Sequence, residues 1–179
     1  FDSIRADGGQ PVLQTRLLHN KVIFYGSDFL QRYLSHFDPN FLFTVGDTFE
    51  IFQIVGVGFL PLYTIVLLPI GIYFLVSDRP KWLKILFVWL LISPIASSLT
   101  IFTPSTSRAM NQVIPLTIFS AYGLIYLYSF IKQKRFFIFL SSFVFCLFSS
   151  YLFYQYFILT PKIVAEKWND GFNQSVQYV

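Results

Sequence analysis

Residues 103–112 read TPSTSRAMNQ and hold one charge, Arg108, between two long apolar runs. The preceding charge is Lys84 and the next is Lys132. Thr103, Ser105, Thr106, Ser107, Asn111 and Gln112 surround the arginine with hydroxyls and amides and bring no carboxylate. A guanidinium without an acid nearby in sequence is free to hold an external anion, and its planar fork matches phosphate oxygens. If the residues after Pro104 open a helix, their free backbone N–H groups and the helix dipole favour the same anion. Two plainer roles stand beside this one: contact with lipid headgroups, and an ion pair with Asp47 or Glu50.

Other reactive side chains are sparse. The Gly46-Asp47 pair in FTVGDTFE fits a turn, the alternative being an Asp47 that points into an outward-facing pocket. His19 and His36 show no metal-ligand spacing and read as polar, interface-facing residues. Cys146, the single cysteine, sits in FVFCLF. No disulfide or Cys-based metal site can form within the chain, and this thiol reads as lipid-facing or as packed filler.

The elements that must position Arg108 follow from composition. The chain has 179 residues, 55% hydrophobic and 21% aromatic, with 12% charged. Soluble domains carry about 25% charged residues, so lipid is the solvent this composition suits. The net charge of +4 bears on membrane orientation more than on nucleic-acid binding. Four runs lack any Asp, Glu, Lys, Arg or His: 51–77, 85–107, 109–131 and 136–161. Each exceeds the roughly 20 residues that cross a bilayer as a helix. The predicted fold is all-α: a polytopic helical membrane protein with four transmembrane helices, spanning about 54–76, 85–102, 113–131 and 136–157. Pro61, Pro69, Pro94 and Pro115 lie within or beside these spans, as kinks or as breaks that line a cavity.

The connectors set the orientation. DRPKWLK (78–84) and KQKR (132–135) are short and basic, which places them in the cytoplasm. Residues 1–50, 103–112 and 158–179 then face the extracytoplasmic side. Trp82, Trp89, Tyr151, Tyr154 and Tyr156 suit interfacial belts.

Within the outer segment, Leu18, Val22, Tyr25, Phe29, Tyr33 and Phe37 recur at spacings of three and four. They predict an amphipathic helix over 17–37 lying in the membrane interface, bent at Gly26 and stopped near Pro39. After Thr160 the chain turns polar, so 158–179 reads as the start of an extracytoplasmic segment, with Trp168 as an anchor. The opening FDSIRADGGQP has no secretory-signal pattern, and the chain reads as an internal piece of a longer protein.

Three stretches carry a family resemblance. HNKVIFYGSDFLQRYLSHFDPNFLFTVGD (19–47), PSTSRAM (104–110) and WNDG (168–171) occur in the order and spacing of the outer loops of bacterial GT-C glycosyltransferases. The chain resembles the protein-mannosyltransferase and aminoarabinose-transferase type of that superfamily, over nearly its whole length. YLSHFDPNFLF is the most specific piece, and Ser105 stands where the family's loop carries a histidine. The resemblance implies the C-terminal membrane part of an inverting transferase. Such an enzyme moves a sugar from a polyprenyl-phosphate donor to a protein, lipid or glycan acceptor at the outer face. Arg108 is then expected to bind the departing lipid phosphate, with His36, Asp47, Ser105 and Asn111 lining the pocket. The family's catalytic acid belongs to an earlier outer loop, so no base is assigned here and the chain alone is expected to be inactive. Some relatives use a divalent metal, for which nothing here supplies a site. The competing readings are a transporter or flippase fragment whose Arg108 binds an anion in transit, and a structural membrane subunit. Mid-span charge and an internal repeat, the usual marks of a transporter, are not evident.

Overall fold

A computed structural model describes residues 21–48 and 53–164. Among these the chain is helical, without strands. Six α-helices follow one another: α1 (Lys21–Ser35), α2 (Thr64–Asp78), α3 (Leu83–Ile92), α4 (Ile95–Ser98), α5 (Val113–Phe130) and α6 (Lys134–Tyr154).

Two helices are long and apolar enough to cross a membrane. One is α5 with its leading turn, Met110–Phe130; the other is α6 with its continuation, Lys134–Val164. They match the predicted spans 113–131 and 136–157, but the second runs further. It passes through a wider turn at Gln155–Leu159 and carries past Pro161, so the helix does not stop where the sequence turns polar.

The other two predicted spans come out shorter, so the described residues do not form four full-length spans. The run predicted as 54–76 is helical only from Thr64. Before it, Gly56 sits at φ +70° and Gly58 lies flat against the Phe43 backbone, where a Cβ would overlap main-chain atoms. Phe59 N–H donates to Phe41 O at 3.1 Å and Leu60 N–H to Leu42 O at 2.6 Å. Residues 53–60 are thus held as a turn against residues 41–43, and Pro61 then disfavours a helix extending backwards. Pro69 is tolerated inside α2. The run predicted as 85–102 breaks at Ser93-Pro94, giving α3 and the four-residue α4. At 1.5 Å per residue α2 reaches about 22 Å and α5 about 27 Å.

Helices α2 and α5 form the main pair. Gly71 and Gly123 face each other across it: a Cβ at Gly71 would overlap the Phe119 carbonyl, and one at Gly123 the Leu67 carbonyl. Such small residues let apolar helices approach to backbone contact, where dispersion does the holding. Phe74 stacks on Tyr126 at 4.0 Å. Asp78, at the end of α2, accepts hydrogen bonds from the Tyr122 hydroxyl at 2.8 Å and from the Tyr126 hydroxyl. Helix α3 lies on the same pair through Phe87 against Phe119. The core consists of Leu60, Leu75, Leu86, Leu90, Ala109, Leu116 and Phe119, joined by Phe41 and Leu42 from the segment that follows α1.

Helix α6 differs. None of its residues is buried, although Phe139, Phe143, Phe145 and Phe153 all lie on it. Only one face, with Phe137, Ser141, Phe148 and Leu152, is half-buried, and an apolar helix so widely exposed suits hydrocarbon rather than water. Tyr151 anchors it at one end by donating to Gly56 O at 3.1 Å.

The predicted amphipathic helix 17–37 appears as α1; residues 17–20 lie outside the described residues. Gly26 does not interrupt it. Its packed stripe is Phe29, Arg32 and Tyr33, continued by His36 just past its end, while Val22 and Tyr25 remain exposed. A second apolar stripe, Ile23, Leu30 and Leu34, faces outward. The polar residues are therefore confined to a narrower face than the sequence pattern predicts. Tyr33 donates to Leu91 O at 2.8 Å, which pins α1 across the end of α3.

Candidate anion site around Arg108

The site is built where residues 46–48 meet the loop between α4 and α5. Gly46, at φ +73°, turns the chain so that Asp47 faces inward. A side chain at that glycine would also meet Val57 O at 2.9 Å. Asp47 is only 3% exposed. One of its oxygens accepts from Ser105 Oγ at 3.2 Å, from Thr106 N–H at 2.9 Å and from Thr106 Oγ1 at 2.9 Å. Beside it, Thr48 donates to Pro104 O through its amide (3.2 Å) and its hydroxyl (3.0 Å). Ser105 and Ser107 hydroxyls lie 3.3 Å apart.

The loop then turns back on itself, with Ala109 N–H donating to Ser105 O at 3.0 Å and Gln112 N–H to Ala109 O at 2.7 Å. Helix α5 opens only at Val113, after a tight turn at Met110–Gln112. This corrects one expectation: no helix starts directly behind Pro104, and the Thr106 and Ala109 amides are already used. The helix that follows the loop therefore begins five residues beyond Arg108.

Arg108 is exposed. One terminal nitrogen, Nη1, donates to Thr100 Oγ1 at 2.9 Å and to Phe102 O at 3.3 Å. Both acceptors are neutral, and among the described residues no carboxylate pairs with it. The expected alternative partner Asp47 faces the loop instead, and Glu50 lies outside the described residues. Thr100 has a second cation on it: Arg32 Nη1 donates to Thr100 O at 2.7 Å. Arg32 also pairs with Asp28, at 2.8 Å between Nη2 and Oδ2. Sequence reading missed Arg32, because the contact joins residues 68 apart. Its only local signal was the Asp28–Arg32 spacing of four.

The remaining predicted residues divide. Ser105 is buried and directed at Asp47, so it is a strut of the loop rather than an open pocket wall. Asn111 is exposed on the turn that leads into α5. His36 is fully buried, edge-on to Phe41 at 5.5 Å, and neither faces an interface nor lines an open pocket. Its Nδ1 lies 2.9 Å from Arg32 O and so carries the proton. Gln112 Nε2 donates to His36 O at 3.3 Å, which joins the end of α1 to the start of α5 directly behind Arg108. Among the described residues no three His, Cys, Asp and Glu side chains converge as a metal site. His19 and the WNDG stretch lie outside the described residues. A separate apolar cavity of about 860 Å³ lies between α2, α5 and α6, lined by Tyr63, Leu67, Leu124, Leu140 and Cys146 among others. None of the predicted site residues borders it.

Burial pushes the His36 pKa below its ordinary 6.5, against two backbone hydrogen bonds that act upward. The unfolded chain therefore binds a proton that the folded chain resists. This contribution to stability is intact above about pH 6.5 and is lost as the pH falls below it. Thermal unfolding midpoints should accordingly drop between pH 7 and pH 5. In His36→Gln the slope should flatten, and an unchanged slope would discard His36 as its source.

Searches with the sequence and the structure find no matching family model, no matching curated protein and no matching solved structure.

Proposed function

We propose that this chain is the C-terminal membrane part of a glycosyltransferase. The full-length protein would transfer a sugar from a polyprenyl-phosphate donor to an acceptor outside the cytoplasm, with Arg108 holding the lipid phosphate. The observation that carries this reading is the state of Arg108: exposed, oriented through one nitrogen by neutral oxygens, and without a carboxylate partner among the described residues. Negative charge grows on the phosphate as the sugar leaves, and a pre-oriented guanidinium stabilises it without reorganising. The rest of the fork is then available for a bidentate grip. The acid that activates the acceptor is assigned to an earlier part of the protein, and the acceptor class stays open.

In this reading the two long helices cross the bilayer, and α2, packed along α5, lies at the same depth. Asp78 bonded to Tyr122 and Tyr126 sets the loop 78–84 beside the second half of α5, toward the basic loop 132–135. Both loops then face the cytoplasm and Arg108 the opposite side. Single cysteines at exposed Ser107 and at Lys134, in a Cys146→Ser background, should react with impermeant reagents from opposite sides. Labelling of both from one side would exclude this orientation. The activity itself is tested by supplying polyprenyl-phosphate sugars to the full-length protein in nanodiscs. Absence of any sugar release or transfer across donor sugars would overturn the proposal.

A further inference from the structure

We infer that Asp47 is a positioning residue that seats the Arg108 loop, and neither a pocket-lining acid nor a base. Three donors from Ser105 and Thr106 converge on a single carboxylate oxygen in a nearly dry setting. Hydrogen bonds to an ionised oxygen are about twice as strong as neutral ones, and their donors cannot be abandoned cheaply when buried. Thr48, next in the chain, grips the loop one residue earlier at Pro104 O. Residues 47–48 thus clamp 104–106, and the chain reaches Arg108 two residues later, where Thr100 orients the guanidinium. The clamp follows Gly46, whose positive φ is a conformation L side chains rarely adopt and where an added Cβ would meet Val57 O at 2.9 Å. In this role Asp47 acts on the anion through the loop it seats.

The functional half of the inference rests on the phosphate reading of Arg108; the structural half does not. Two measurements on the full-length protein in nanodiscs separate them. The first is amide hydrogen exchange. In Asp47→Ala, amides 105–108 should exchange at least about tenfold faster, as loss of charge-assisted bonds predicts, while those of 116–128 hold. Asp47→Asn keeps an acceptor oxygen and should fall between. Unchanged exchange at 105–108 in Asp47→Ala overturns the clamp. The second is binding of farnesyl monophosphate. Asp47→Ala should lose affinity as Arg108→Gln does, and Asp47→Asn should recover most of it with the wild-type pH profile. An Asp47→Asn as defective as Asp47→Ala assigns the charge itself to the site and overturns the positioning role. If Asp47→Ala loosens the loop yet binds normally while Arg108→Gln does not, the positioning role also fails. If Arg108→Gln binds normally, the phosphate reading fails, and the exchange data alone judge the clamp.

Discussion

If Arg108 holds a lipid phosphate as proposed, replacing it with lysine in the full-length protein should lower transfer from a polyprenyl-phosphate sugar by roughly 10²-fold or more, the scale seen when one oriented transition-state donor is removed. Lysine keeps the charge, so a site that needs only attraction would be little affected. What it cannot keep is the geometry. Arg108 spends Nη1 on Thr100 Oγ1 and Phe102 O while its fork extends beyond them. An ammonium has no planar fork with which to hold that anchor and grip two phosphate oxygens at once. The loss should fall mainly on kcat, because the charge to be stabilised grows on leaving-group departure. Unchanged turnover would remove Arg108 from the mechanism, and a change confined to KM would make it a docking residue only.

The second large effect concerns the frame. Gly71→Ala and Gly123→Ala should each destabilise the fold by about 1–3 kcal/mol, the usual cost of overpacking a filled contact. The obstacle in both cases is a carbonyl of the opposing helix rather than the end of a flexible side chain. Relief therefore requires α2 and α5 to move apart, which also disturbs the Phe74–Tyr126 stack and the hydrogen bonds to Asp78. Unfolding midpoints in detergent read this directly. Gly26→Ala is the control: no atom lies within 4 Å of its added Cβ, and in mid-helix alanine is favoured over glycine by up to about 1 kcal/mol. Wild-type midpoints for both crossing variants would show that the close approach contributes nothing.

Some of this molecule could be read from its residues in order. An all-helical fold follows from uncharged runs too long and too apolar for anything else. The helices over 113–130 and 134–154 were legible because nothing tertiary competes with them there. The helix α1 was legible from its three-and-four spacing, and the isolation of Arg108 among hydroxyls and amides was visible at once. Hydropathy, however, records only whether a segment tolerates lipid, not whether it stays helical. Residues 53–63 and 93–102 are as free of charge as their neighbours, yet hydrogen bonds from Phe59 and Leu60 to residues 41 and 42 and the break at Pro94 shorten both helices. Only the tertiary structure decided what surrounds the arginine. Asp47, Arg32 and Thr100 stand 61, 76 and 8 residues from it in sequence. No local pattern reports that Asp47 takes the loop rather than the guanidinium, nor that Arg32 shares Thr100 with it. Residue types set which partners are chemically possible; chain closure around Gly46 and the glycine crossing of α2 and α5 set which of them meet.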